Sequence, residues 1–160
     1  MAFEKTKSGT RGSRMGSFFV AGPVARWMNG QMVRRHRRKG GQSQGMDVLV
    51  LGTVGAKTGQ RRETLLGSFP DGDGAWLVVA SAAGAAKNPA WYHNLAAHPD
   101  QVDVEIDGKK VKVTAAPLTG ADRDAAWQRI VAAQPRYGGY ETKTDREIPI
   151  IRLTASPAAS

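Results

Sequence analysis

The sequence predicts an α+β fold, a mainly antiparallel sheet or small barrel with helices outside it. Three observations carry that prediction. Apolar and β-branched runs recur between turn signals, at MDVLVLGT, AWLVVAS, QVDVEI, KKVKVTAAPL and EIPIIRL, and short runs of this kind are strands. Asp107-Gly108 separates two of them by two residues, the signature of a tight antiparallel hairpin. Between the strands, other segments repeat their apolar residues at helical spacing. The resulting order, β-β-β-α-β-β-α-β, contains no internal repeat.

Each element has its own warrant. Val24, Trp27, Met28 and Met32 fall at i, i+3, i+4 and i+8, which predicts a helix starting near Pro23 and ending before Gly40. MDVLVLGT (46–53) reads as a strand, VGAKTGQ (54–60) as a turn and RRETLLGSF (61–69) as the returning strand. PDGDG (70–74) is a turn, and AWLVVAS (75–81) a third strand. Asn88 suits a helix N-cap and Pro89 the first turn, giving a short helix that stops at His98 before Pro99. Strands follow at 101–106 and 109–118. Residues 119–134 form a helix with Thr119 as cap and Trp127, Ile130 and Val131 on one face. PRYGGYETKTDR reads as a loop carrying Tyr137 and Tyr140, and 147–153 as the last strand.

The 160 residues suffice for one domain with a core. Residues 1–41 form a basic amphipathic arm, 42–154 the domain and 155–160 a flexible tail. Ten of the 23 Lys and Arg lie in the arm beside a single acid, Glu4, so all of the net +9 resides there and the remaining residues balance to zero. The charge therefore belongs to an appendage. The arm's helix either lies on an anionic membrane through residues 14–39, with its apolar face in the interface and its bases at the headgroups, or caps the core.

Several function classes are excluded. Without cysteine there is no disulfide or thiolate metal site, and His36, His93 and His98 have no metal-ligand spacing. The apolar run in the arm is too short to span a bilayer, and it precedes its basic block, the reverse of a secretory signal. No nucleic-acid-binding signature accompanies the bases, so nucleic acid is not expected as a partner. Lys57 follows Ala56 and leads back into a strand, so the glycine-rich turn is not a triphosphate loop, and GxGxxG is absent.

What that turn offers is free backbone N–H groups, the Thr58 hydroxyl and the cations Lys57, Arg61 and Arg62, the parts needed to hold a phosphate or polycarboxylate. Read alone, such a turn is ordinarily just soluble surface. A second convergence follows the third strand, where Ser81, Gly84, Lys87 and Asn88 meet a helix entrance. Trp91 and Tyr92 open that helix, and Tyr137 with Tyr140 add aromatic rings that can wall a planar ligand. For Trp91 the plain alternative is core packing.

TVGAKTGQRR, VVASAAGAAKNPAWYHNL and PRYGGYETKTDREIPIIRL together resemble the deazaflavin-dependent nitroreductase and quinone reductase family of actinobacteria, over roughly residues 46–153. The resemblance implies a split β-barrel of the FMN-binding, pyridoxamine phosphate oxidase-like type, in a wider group that is usually dimeric. It implies reduced coenzyme F420 as cofactor. Carried over, it assigns Lys57, Thr58, Gly59 and Arg62, with Gln60 and Arg61 in the same turn, to the coenzyme's phosphate and polyglutamate tail. Ala80, Ser81, Ala82 and Lys87, continued by Asn88 and Trp91, form the second wall. Tyr137 and Tyr140 line the substrate side.

This sequence departs from the family at Ala56 and at Ala82-Ala83, where two cations are expected, and Arg61 compensates for one of them. Gly67 and Gln134 stand where nitroimidazole-activating members carry tyrosines, implying a wider, less aromatic pocket. The expected reaction is hydride transfer from reduced F420 to a quinone, enone or other activated double bond, or a nitro compound. Tyr137, Tyr140 or Ser81 would then hydrogen-bond the reduced oxygen. The expected setting is a cytoplasmic homodimer, peripheral on the membrane face. The alternatives are an FMN-dependent oxidoreductase of the same fold, or a non-catalytic membrane or nucleic-acid binder acting through the arm.

Overall fold

The computed structural model describes residues 3, 5–12, 22–39, 47–72 and 74–156. Residues 14–21 of the stretch expected to contact a membrane and most of the expected tail lie outside the described residues. The elements in chain order are α1 (Pro23–Arg38), β1 (Val48–Val54), β2 (Arg61–Gly67), β3 (Phe69–Pro70), β4 (Ala75–Val79), α2 (Ala90–Ala97), β5 (Val102–Ile106), β6 (Lys109–Pro117), α3 (Gly120–Ala133), α4 (Arg136–Lys143) and β7 (Ile150–Ala155). A 3₁₀ turn, Ala82–Gly84, lies between β4 and α2.

The strands form a 7-stranded sheet in the order β2-β1-β5-β6-β7-β4-β3, antiparallel at every pairing. Its two edges, β2 and β3, are joined by Ser68 alone. One residue spans less than 4 Å, so the sheet must curl until its edges come together. The result is the split β-barrel that the resemblance implied. Asp107 and Gly108 both have positive φ, 50° and 80°, and form the expected two-residue hairpin turn between β5 and β6.

The alternation of the strands sorts the core into two layers. Leu49 and Leu51, Val102 and Val104, Val113 and Ala115, and Ile151 and Leu153 pack together with Trp91, Tyr92 and Leu95 of α2. The opposite face of β4 and β7, through Leu77, Val79 and Ile150, packs on Ala126, Trp127 and Ile130 of α3 and on Tyr137 of α4. Each fully buried aliphatic side chain contributes about 1.5–3 kcal/mol. Helix α2 is thereby locked against one layer, with Asn94 on its buried side.

Four expectations need correction. Residues 136–143 are a helix, not a loop. Packing explains Gly138 of the Gly138-Gly139 pair, since a Cβ there would sit 3.3 Å from Cγ1 of Val131 on α3, whereas Gly139 has open space beside it. Asn88 does not cap α2; Pro89 holds the N-cap position, and the Asn88 side chain bonds to Arg146 and Thr6 instead. Thr119 is the N-cap of α3 but makes no side-chain cap hydrogen bond. The last strand starts at Ile150 and runs to Ala155, because Pro149 has no N–H to give a ladder; its carbonyl accepts from Ala80 N–H.

Helix α1 forms where expected, with proline in its first turn, but it is not an appendage. It packs against β2 through Ala25, Val33 and His36. The expected apolar face is turned outward, leaving Val24 60%, Trp27 66% and Met32 45% exposed. Residues upstream also lie on the domain. Thr6 N–H donates to Tyr92 Oη at 2.9 Å, Gly9 N–H to Ala86 O at 2.7 Å, and Asp145 accepts from the backbone of Thr10 and Arg11.

Candidate functional site

The β1–β2 turn is built by its own short bonds. Gly55 N–H donates to Gln60 O at 2.7 Å and Gly59 N–H to Gly55 O at 2.9 Å, while Gly59 takes a φ of 70°. Helix α2 then fixes its position. Asn94 accepts from Ala56 N–H at 2.9 Å and donates to Thr53 Oγ at 3.2 Å. A buried amide with partners on both ends can hold only one orientation.

The second wall is held by Arg146, which is 5% exposed. Its guanidinium donates to the carbonyls of Ala85 at 2.7 Å, Ala80 at 3.0 Å and Ser81 at 2.7 Å, and to Asn88 Oδ1 at 2.8 Å. All four acceptors are neutral. Burial pushes its pKa down to about 10, which still leaves a cation beneath the turn at neutral pH.

Between these walls, α1 and α2 enclose a cavity of about 770 Å³, within the range of ligand sites. The hairpin supplies Lys57, Thr58, Arg61 and Arg62, the second wall Lys87 and Asn88, and α2 Trp91, His93 and Asn94. Helix α1 adds Arg26, Arg34 and Arg37. Glu63 is the single acid in the lining.

These cations fall into two groups. Arg37 bridges Glu63 at 2.7 Å and Glu105 at 3.1 Å, and Arg61 pairs with Asp103 at 2.6 Å. Their charges are committed, and Glu63 is held below the usual carboxylate range chiefly by its hydrogen bond from Arg37. Arg61 therefore does not act as the free replacement cation expected from the sequence. Lys57, Arg62, Lys87, Arg26 and Arg34 have no acidic partner among the described residues. Such clustering costs folding energy through like-charge repulsion, which an anionic ligand relieves. His93 registers it: burial first, then Lys5 and Lys57, lower its pKa.

Of the candidates read from the sequence, Lys57, Thr58, Arg61, Arg62, Lys87, Asn88 and Trp91 are brought together in the cavity lining. Gly59 and Gln60 lie in the same turn without lining it, and Ala80, Ser81 and Ala82 sit behind it, the first two carrying carbonyls that Arg146 holds. Tyr137 and Tyr140 lie outside the lining. Tyr137 is buried in the second core layer, its ring edge-on to Phe69 at 5.7 Å and to Tyr140 at 5.6 Å, and burial raises its pKa. Tyr140 belongs to the helix whose backbone abuts the 3₁₀ turn, since a Cβ on Gly84 would meet Tyr140 O at 3.0 Å.

Sequence reasoning missed Arg146, Asn94 and the three cavity-lining arginines of α1, Arg26, Arg34 and Arg37. The arginines had a legible signal, since Arg26, Asn29, Gly30, Val33, Arg34 and Arg37 follow helical spacing. For Arg146 and Asn94 nothing local marks the role.

Comparisons with known proteins agree with this geometry. The family model described as F420H(2)-dependent quinone reductase matches residues 26–155. An F420H(2)-dependent quinone reductase of Mycobacterium tuberculosis is 45% identical over 109 residues, 66% of this chain and 72% of the relative. A solved structure of an F420-H2 dependent reductase, FDR-A, has a TM-score of 0.60 at 37% identity, covering 67% of this chain and 93% of its own. A structure described as a domain-swapped dimer has a TM-score of 0.62 at 32% identity, covering 82% and 99%. With the model matched over residues 26–155, which take in most of α1 and the whole sheet, the chain belongs to the F420H(2)-dependent quinone reductase family.

Proposed function

We propose that the cavity holds reduced coenzyme F420 and that the protein reduces a quinone with it. The single observation that carries this reading is the cluster of cations without acidic partners among the described residues, around a cavity of about 770 Å³. A polyanionic coenzyme fits that donor set. A flavin mononucleotide, with one phosphate, would satisfy few of these charges, so the FMN alternative is not favoured. When bound, the reduced deazaflavin supplies a hydride for addition to the acceptor.

The protein's part is placement and electrostatics. Lys57, Arg62 and Lys87 hold anionic groups, and Thr58 offers a hydroxyl beside them. Trp91, packed in the core on one side, gives the cavity a rigid apolar wall. Asn94 and Arg146 keep the two walls at fixed separation. Gly59, Gln60, Ala80, Ser81 and Ala82 shape the backbone of those walls. Tyr140, half-buried on α4 and outside the cavity lining, is the proposed donor of a hydrogen bond to the reduced oxygen of an acceptor that projects beyond that lining. Tyr137, whose raised pKa keeps it a phenol, orients it from the core. Enones and nitro compounds are secondary acceptors of the same chemistry.

Two features of the setting belong to this proposal. The outward Val24, Trp27 and Met32 of α1, next to Arg35, Arg38 and Lys39, suit peripheral contact with an anionic membrane, where lipid quinones partition. A homodimer is proposed because of the similarity to a domain-swapped dimer.

The test is spectrophotometric oxidation of reduced F420 with a panel of quinones, enones and nitro compounds, alongside titrations with FMN. Turnover with quinones and tighter binding of F420 support the reading. No oxidation with any acceptor and no coenzyme binding overturn it.

A further inference from the structure

Helix α1 turns a complete face to the cavity. Arg26, Asn29, Gly30, Val33, Arg34 and Arg37 all line it, at relative positions 0, 3, 4, 7, 8 and 11, which is one side of a helix. The charges on that side are unequal. Arg37 is committed to Glu63 and Glu105, fastening the C-terminal end of α1 to β2 and β5. Arg26 and Arg34 have no acidic partner among the described residues. They are eight residues apart, about 12 Å along the axis at 1.5 Å per residue.

Between them lies Gly30. Glycine is among the least favourable residues in a helix interior, and packing does not explain this one, because a Cβ there would meet nothing within 4 Å. It faces open cavity. A bare stretch of helix backbone, flanked on the same face by two free guanidinium groups, is the shape expected where an extended anionic chain crosses the helix closely.

We infer that α1 is a third wall of the site, which binds the distal anionic part of the ligand along Arg26, Gly30 and Arg34. This rests on the reading that the cavity holds a deazaflavin coenzyme with an acidic tail, and it deepens that reading by assigning the tail's outer carboxylates to the arm. Lys57, Arg62 and Lys87 hold the groups nearer the ring. The preferred ligand is then one whose chain of carboxylates is long enough to reach across about two turns of helix, and affinity rises with the number of carboxylates until that span is filled.

Equilibrium titrations of full-length protein test this, using oxidised F420 preparations of defined tail length and the deazaflavin core lacking phosphate and tail. For Arg26→Gln/Arg34→Gln, the expected result is a tenfold or greater loss of affinity for the long-tailed coenzyme, a weaker salt dependence of that affinity, and no change for the core. For Gly30→Leu, the expected result is the same length-selective loss with an unchanged or raised Tm, which separates blockage from unfolding. Equal losses for tailed and tail-less ligands in both variants, or wild-type affinity that ignores tail length, overturn the third wall while leaving the coenzyme reading standing. A wild-type protein that binds none of these ligands overturns both.

Discussion

Arg146 Nη1 donates a hydrogen bond of 2.8 Å to Asn88 Oδ1 in the interior, and the same guanidinium holds three backbone carbonyls of the 80–85 turn. One side chain thus sets the conformation of a wall whose own residues are mostly alanine and glycine. An ammonium cannot span the four acceptors, so Arg146→Lys should leave buried carbonyls unsatisfied and destabilise the protein by about 3 kcal/mol. Urea unfolding measures it. A loss below about 0.5 kcal/mol would show that the turn holds itself.

Asn94 does for the hairpin what Arg146 does for the turn. Asn94→Leu removes the acceptor for Ala56 N–H and the donor to Thr53, at a cost of about 1–3 kcal/mol. The hairpin that carries Lys57 then loses its anchor to α2. Coenzyme affinity should fall further than the affinity of a tail-less deazaflavin core; equal falls would mean that only general stability had changed.

The division between committed and free cations predicts unequal effects from neighbours. Arg62→Gln should weaken coenzyme binding about tenfold, some 1.4 kcal/mol, because its charge has no acidic partner to lose. Arg61→Gln breaks the half-exposed pair with Asp103, which contributes at most about 1 kcal/mol, and should change binding less. Calorimetric titration of both variants decides it, and a larger effect at Arg61 would reverse the assignment.

His93 supplies a pH dependence. Its pKa is lowered by burial and by Lys5 and Lys57, so in the free protein its contribution to stability is complete above the unfolded value of 6.5 and is lost as pH falls below it. An anion that neutralises Lys57 removes part of that penalty. Binding should therefore raise the His93 pKa, take up protons and tighten as pH falls through this range. NMR titration of the His93 ring with and without coenzyme tests the sign; a pKa that stays put or falls refutes it.

Asp145 clasps the segment before α1. Hydrogen bonds from the Thr10 hydroxyl and the Arg11 backbone hold its carboxyl down at about 2. Its contribution is present above the unfolded carboxylate value and disappears as pH falls toward 2. Asp145→Asn should release residues 5–12 at neutral pH, detected as faster amide exchange at Thr10 and Arg11 with little change in exchange in the barrel strands.

The strands and α1 were legible because their signals are local. Alternation marks β1, β5 and β6, Asp107-Gly108 marks their hairpin, and Pro23 marks the start of a periodic run. The loop reading of 136–143 failed for a physical reason: of two glycines that suggest a turn in isolation, Gly138 serves close packing against Val131 once α3 is present, while nothing in the packing accounts for Gly139. Asn88 likewise has a capping residue's chemistry, but four hydrogen bonds to a buried guanidinium, one of them its own, outweigh one helix cap. The hairpin cations were legible as a group, but not their division, because Asp103 and Glu105 come from a strand some 40 residues later.

By itself the sequence determined the α+β class, the tight hairpin, the concentration of charge before residue 42 and the residue types of the anionic site. Tertiary structure alone decided that three of those cations, Arg26, Arg34 and Arg37, line the cavity. The barrel's curl brings β2 beneath α1, and the buried Ala25, Val33 and His36 turn the Arg26–Arg34–Arg37 side inward and leave Trp27 facing out. A helix with cations on one side and apolar groups on the other contains no local instruction about which side to bury. Here the small buried residues and the Arg37 ion pairs with Glu63 and Glu105 settle it, because only that orientation satisfies both acids.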